Sequence, residues 1–212
     1  MTVVGILPAA GSGVRLGSLQ PKAFISCAGR PLFEWSLDVL TAACDRVVVA
    51  VPDGLEGPDG WVVGGSSRSE SVRLALMTAP EATVAVVHDA ARPLVTVELV
   101  HRCLAALGGP VDAAVAAAPM TDTVKETDDE GRVLRTLDRA RLWSVQTPQV
   151  FSAEVLRRAL DTDSETLRAA TDDASLVERI GGTVQLVEAP PENLKVTHPG
   201  DLAAAERLLS QR

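Results

Sequence analysis

Short, valine-rich apolar runs punctuate the chain at 3–7, 47–51, 84–87, 111–117 and 184–187. Apolar runs without polar alternation predict strands buried on both faces. Between them, apolar positions recur every three to four residues at 31–42, 69–77, 96–107, 153–160, 172–180 and 201–209. That period predicts helices. Strands alternating with helices imply an α/β fold: a mostly parallel sheet covered on both faces.

Two segments break the alternation. Residues 52–61 are short and rich in Gly and Pro, where an α/β unit normally places a crossover helix. Residues 120–141 are polar and charged, with a central turn at Asp128-Asp129-Glu130-Gly131. The flanks, 121–127 and 132–137, read as a β-hairpin. It is too polar for the core, so it predicts a protruding β-arm, and such arms often reach a second subunit.

Composition narrows the function. A chain of 212 residues is enough for one sizeable core and short for two full domains. Aromatics are 3 %, with no tyrosine, which disfavours a base-stacking nucleic-acid surface. The net charge of −8 disfavours DNA, RNA and anionic membranes as partners. Cys27, Cys44 and Cys103 are widely spaced and fit no metal pattern, so reduced thiols are expected. No apolar run reaches the roughly 18 residues of a membrane span, and no basic leader precedes the first strand. The expectation is a cytoplasmic protein with neither a membrane nor a nucleic-acid partner. Lys22, Lys125 and Lys195 are the only lysines among 20 basic residues, so each is worth a role.

The first strand runs into Pro8-Ala9-Ala10-Gly11-Ser12-Gly13-Val14-Arg15. In open α/β sheets, ligands sit beyond the carboxyl ends of the strands. Gly11 and Gly13 bring backbone N–H groups close to an anion, and Arg15 and Lys22 add cations suited to phosphate oxygens. A bare strand-to-loop connection would also explain the glycines, but not the two cations. The dinucleotide fingerprint fails, because Leu16 stands where its third glycine belongs, and no P-loop is present.

The loop is one of an ordered set of motifs. Pro21-Lys22 and Gly64-Gly65-Ser66-Ser67-Arg68-Ser69-Glu70-Ser71-Val72 follow it. Val87-His88-Asp89-Ala90-Ala91-Arg92-Pro93, Asp122-Thr123-Val124-Lys125 and Asp138-Arg139 come next. Gln146-Thr147-Pro148-Gln149, Thr171-Asp172-Asp173-Ala174-Ser175 and Leu194-Lys195-Val196-Thr197 complete it. In this order they resemble the 2-C-methyl-D-erythritol 4-phosphate cytidylyltransferase family of the non-mevalonate isoprenoid pathway, over nearly the whole chain.

The resemblance implies a Rossmann-like nucleotidyltransferase fold, a single domain over 1–212 that joins CTP to methylerythritol phosphate and releases pyrophosphate. It implies a CTP site at Pro8, Ala9, Ala10, Gly11, Ser12, Gly13, Arg15, Lys22, Gly64, Gly65, Ser71 and Asp89. It implies an acceptor site at Asp89, Thr123, Arg139, Thr147, Thr171 and Lys195. The catalytic cations are then Arg15, Lys22, Arg139 and Lys195. Mg²⁺ is implied, held mainly by the CTP phosphates, with Asp89 serving either a substrate hydroxyl or metal-bound water. A homodimer is implied too, the arm at about 120–141 of one subunit completing the site of the other. The nucleophile is a phosphate monoester whose second pKa is about 6, so no general base is needed.

Plainer readings stand beside these. His88 reads as structural, and Lys125 as a solvated charge. Thr171 suffices as a helix N-cap. Arg92 suits either substrate binding or bracing a dimer. The acids at 165–173 read as a solvated helix start. The chain departs from the family pattern at Ala23, at Ser66-Ser67 and in the short 52–61 segment. Ribitol 5-phosphate cytidylyltransferases share the nucleotide loops. A nicotinamide oxidoreductase would need the missing glycine, and a non-catalytic nucleotide-binding module would not need cations on both sides.

Overall fold

The computed structural model describes residues 1–11, 21–55 and 57–211. Strand β1 (Val3–Pro8) leads to a 3-10 turn (Lys22–Phe24) and a small hairpin of β2 (Ser26–Cys27) and β3 (Arg30–Pro31). Helix α1 (Leu32–Ala43), β4 (Arg46–Val51), β5 (Trp61–Val63), α2 (Arg68–Met77), β6 (Val84–Val87) and α3 (Val97–Ala106) follow. Then come β7 (Ala113–Pro119), β8 (Lys125–Thr127), β9 (Val133–Thr136) and β10 (Trp143–Ser152). The chain continues through α4 (Ala153–Leu160), α5 (Ser164–Ala169), α6 (Asp173–Arg179), β11 (Val184–Glu188) and α7 (Pro199–Leu209). Among the described residues no helix is long and apolar enough to cross a membrane.

The main sheet has seven strands in the order β11-β7-β10-β6-β1-β4-β5. Pairing is parallel throughout except on both sides of β10. Side chains alternate between two cores, as the two-residue period of a strand requires. Val4, Ile6, Ala85 and Val87 face a layer of α2, α4 and α6. Val3, Leu7, Val84 and Val86 face α1 and α3. Gly5 lets α1 lie close, since a Cβ there would stand 3.4 Å from the Leu40 Cβ. A third, smaller cluster joins α7 (Ala205, Leu209) to Cys27, Leu32, Ala91, Leu94 and Val196.

Every apolar run is a strand, with ends shifted by a residue or two. Strand β10 is the longest element the pattern did not announce. Pro148 cannot donate to the ladder, and the register against β7 shifts between Val145 and Gln149. Gln149 pairs with Val87, so Gln146 and Thr147 run past the end of β6, beside Asp89. The described part of 52–60 holds no helix. Trp61 packs edge-on against Phe33 (5.8 Å) and Phe24 (6.3 Å) on that side of the sheet.

The polar segment is a hairpin of β8 and β9, shorter than the flanks expected. Its turn is fixed by Asp128, whose side chain accepts from the N–H groups of Glu130 and Arg132. The hairpin is largely exposed and carries Val133 (58 %) and Leu134 (62 %) into solvent. One expectation is corrected: Thr171 does not cap a helix. Asp172 is the N-cap of α6, its carboxylate accepting from the Ser175 N–H at 2.9 Å. A carboxylate one residue later has the right reach, and Thr171 is left exposed.

Candidate active site

Two cavities open beyond the carboxyl ends of the parallel strands. The larger, about 600 Å³, is lined by Pro8, Ala9, Ala10, Gly11, Lys22, Gly65, Ser71, Asp89 and Lys195 among others. The smaller, about 200 Å³, is lined by Arg92, Gln146, Thr147, Gln149 and Thr171 together with Arg68, Asp89 and Lys195. Those last three side chains line both cavities and form the wall between them.

The larger cleft is made of close backbone and small side chains. A Cβ on Gly64 would sit 2.5 Å from the Ala10 Cβ, so glycine there lets the loop after β5 press on the loop after β1. Ser67 caps α2 by accepting from the Glu70 N–H, and Glu70 reaches back to the Ser66 N–H at 2.7 Å. This reciprocal cap fixes the turn that presents Gly65. The Gly65 N–H donates to the Ser71 hydroxyl (3.0 Å), which donates in turn to the Ser67 carbonyl (2.9 Å). Ser71 is buried, and its single proton is committed; a lone pair is what it has left to offer.

The shared wall is ionic. Asp89 follows β6 and accepts from Arg68 Nε on Oδ1 (2.8 Å) and from Lys195 Nζ on Oδ2 (2.7 Å). Arg92 Nε lies 3.9 Å from the same carboxylate. Burial alone would raise the Asp89 carboxyl, but the charges and hydrogen bonds of Arg68 and Lys195 outweigh it and hold it far below the usual range. Arg68 also donates to the fully buried Asp173 at 2.5 Å. As the first residue of α2, Arg68 stands where the helix dipole opposes a cation, and its two acids offset that.

Behind the wall runs a neutral chain. The Asp89 N–H donates to the Thr147 hydroxyl (3.0 Å), which lies 3.0 Å from His88 Nδ1. His88 Nε2 lies 3.2 Å from the Arg92 carbonyl, which only accepts, so Nε2 carries the proton. Burial pushes His88 down to about 4, leaving the ring neutral with Nδ1 bare. The Thr147 hydroxyl therefore donates to Nδ1. Arg92, with the dimer among its expected roles, braces its own chain: it is buried and donates to the Asn193 carbonyl at 2.8 Å.

The expected site residues divide in three. Those named above converge on the two cavities, with Gly64 behind the larger one. Ser12, Gly13 and Arg15 lie outside the described residues. Thr123 and Arg139 are exposed at the base of the arm and line neither cavity, with Arg139 donating to the Thr121 carbonyl. The sequence reading gave no role to Arg68, Gln149, Asn193 or Thr197, and read Asp173 as part of a solvated helix start. The signal available for Arg68 was a cation at a helix start, which needs acids nearby. Among the described residues no three His, Cys, Asp or Glu side chains are placed to hold a metal ion. Both Asp89 oxygens are engaged by Arg68 and Lys195.

Twin cavities at the carboxyl edge of such a sheet, with cations on their shared wall, define a fold and site suited to joining two phosphate-bearing molecules. Residues 3–211 match the family model described as 2-C-methyl-D-erythritol 4-phosphate cytidylyltransferase. A protein of that name from Nocardia farcinica is 44 % identical, covering 100 % of this chain and 95 % of the relative. One from a Synechococcus strain is 40 % identical over 98 % of this chain and 97 % of the relative. The crystal structure of the Thermus thermophilus cytidylyltransferase superposes with a TM-score of 0.80 at 36 % identity, covering 97 % and 98 % of the two chains. The chain belongs to the 2-C-methyl-D-erythritol 4-phosphate cytidylyltransferase family.

Proposed function

We infer that this protein is a nucleotidyltransferase that moves the cytidylyl group of CTP onto 2-C-methyl-D-erythritol 4-phosphate. The products are 4-diphosphocytidyl-2-C-methyl-D-erythritol and pyrophosphate, in isoprenoid precursor synthesis by the non-mevalonate pathway. The observation that carries this reading is the wall of Arg68, Asp89 and Lys195 shared by a larger and a smaller cavity, in a chain of this family. The larger cleft takes CTP and the smaller takes the polyol phosphate, so the two reacting phosphates meet at the wall.

The acceptor phosphate is mostly dianionic at neutral pH, its second pKa being about 6. No residue has to remove a proton, and His88, sealed and neutral, is not placed to. The work is to hold two anions in line against their repulsion. Lys22 and Arg15 do this from the nucleotide side and Lys195 from the wall. Asp89 holds Lys195 in place and adds no uncompensated negative charge, being doubly paired. A divalent cation, Mg²⁺ in this reading, would be held mainly by the triphosphate and would supply neutralisation of the negative charge on pyrophosphate. Toward a base the Ser71 hydroxyl offers only a lone pair. That matches the amino edge of cytosine and mismatches the carbonyl of uracil.

Thr123 and Arg139 line neither of their own chain's two cavities, and we place them in a second subunit's site. The arm's exposed Val133 and Leu134, with half-exposed Val145 at the start of β10, supply apolar surface for a homodimer. Each site then uses Arg139 of the partner subunit. Mixing Arg139→Ala with Lys22→Ala chains should restore activity in heterodimers; verified heterodimers without recovery would refute the exchange. The reaction itself is tested by pyrophosphate release from CTP, Mg²⁺ and either methylerythritol phosphate or ribitol 5-phosphate, with ATP, GTP and UTP as controls. Release confined to CTP plus methylerythritol phosphate is the expected result. A cytoplasmic location is part of this proposal.

A further inference from the structure

A hydroxyl group has one proton and two lone pairs, so its partners decide what it can offer a ligand. Thr147 lines the smaller cavity and is itself nearly sealed, with 3 % of its surface exposed. One lone pair accepts from the Asp89 N–H (3.0 Å), and its proton points to His88 Nδ1 (3.0 Å). A single lone pair remains. What fixes this polarity is the far side of the imidazole, where the Arg92 carbonyl accepts from Nε2 at 3.2 Å. That carbonyl also accepts from the Ser36 hydroxyl at 3.2 Å, so it stays satisfied if the imidazole donor is removed.

We propose that His88 is a positioning residue: by taking the Thr147 proton on Nδ1, it restricts Thr147 to accepting a hydrogen bond from whatever fills the smaller cavity. Thr147 therefore receives the proton of a polyol hydroxyl and does not donate to a phosphate oxygen. The phosphate is left to the cations of the wall. This rests on the reading of the smaller cavity as the acceptor site. It assigns the hydroxyl-bearing end of the acceptor to the side of β10 and its phosphate to the side of Lys195.

Two isosteric substitutions divide the imidazole. His88→Asn keeps an acceptor at the Nδ1 position and loses the Nε2 donor. His88→Gln keeps a donor near the Nε2 position and loses the Nδ1 acceptor. With CTP and methylerythritol phosphate, His88→Gln should raise the KM for the acceptor about tenfold, the scale of one neutral hydrogen bond, while the KM for CTP stays within about twofold. His88→Asn should stay within about threefold of the parent on both, restoring what glutamine loses. Equal losses in the two variants, no loss in either, or a loss confined to asparagine would overturn the proposal. Should a variant fail to fold, the ¹⁵N ring shifts of His88 in the parent protein decide the matter. A protonated Nε2 with bare Nδ1 supports the proposal, and a protonated Nδ1 refutes it. A parent protein inert toward CTP and methylerythritol phosphate would sink the proposed reaction, and the tautomer measurement would still judge His88.

Discussion

The two cavities share a wall and little else. The larger is built of backbone and small residues, Ala9, Ala10, Gly11 and Gly65, with one buried hydroxyl. Its shape is set by how closely main chains approach. The smaller is built of polar side chains, Arg92, Gln146, Thr147 and Gln149, each held by partners behind it. A cleft of backbone tolerates little change in volume; a chamber of side chains tolerates little change in hydrogen-bond polarity. Under this division, damage on one side should spare the other.

The sharpest break is at the wall. Lys195→Ala removes a cation that faces both cavities and leaves Asp89 held by Arg68. Turnover by pyrophosphate release should fall about a thousandfold, the upper scale for losing one transition-state donor. CTP affinity by calorimetry should change far less; an equal fall in both would place Lys195 on the nucleotide side alone.

The next effect belongs to the smaller chamber and is read in stability. His88 is held neutral with its pKa lowered from 6.5 to about 4. The unfolded chain therefore binds a proton between those values and the fold does not. Stability from this group is complete above about pH 6.5 and is lost as pH falls toward 4, by about 3 kcal/mol at one proton's slope of 1.36 kcal/mol per pH unit. The charged groups near the ring are Asp89, Arg92 and Arg68. Denaturant titrations from pH 7 to 4 should show this slope in the parent and a flatter one in His88→Asn.

The nucleotide side answers to volume. Gly64→Ala places a methyl 2.5 Å from the Ala10 Cβ and forces the two loops apart. KM for CTP should rise about tenfold, within the 1–3 kcal/mol cost of overpacking, with the acceptor KM unchanged. The smallest effect is a change of preference. Ser71→Ala removes the lone pair that we propose reads the base, so the ratio of kcat/KM for CTP over UTP should drop by severalfold, about the worth of one hydrogen bond. An unchanged ratio would assign base reading to backbone groups alone.

The same division explains what was legible in the sequence. The fold showed itself wherever a strand was an unbroken apolar run. It hid in β10, where Gln146, Thr147, Pro148 and Gln149 interrupt the pattern at the place where the strand passes the site. It hid also in β5 and α5, which are too short to carry a period. The backbone-built cleft was legible because contiguous motifs encode it, from Pro8 to Gly11 and from Gly64 to Ser71. The wall was legible only in part: Asp89 and Lys195 were expected at the site, but Arg68 was not, and the pairing of Lys195 with Asp89, 106 positions away, and of Arg68 with Asp173, 105 away, is set by the fold. Sequence shows that such residues exist; only the fold shows that they meet. Asp172 in place of Thr171 as a cap is the smaller version of this limit, a matter of one residue's reach.

Lys195 owes its position to the small third cluster. Its neighbours Leu194 and Val196 pack there with α7, and the Val196 N–H donates to the Ala91 carbonyl at 2.8 Å. That cluster stands apart from the two cores, so it is a natural unit for opening without the rest. The frequency with which the lysine leaves its carboxylate is then set by a local equilibrium, not by the stability of the sheet. In hydrogen exchange the Val196 amide should open on its own schedule, faster than β1 or β6. A nucleotide in the larger cleft, anchoring the lysine from the other side, should slow it.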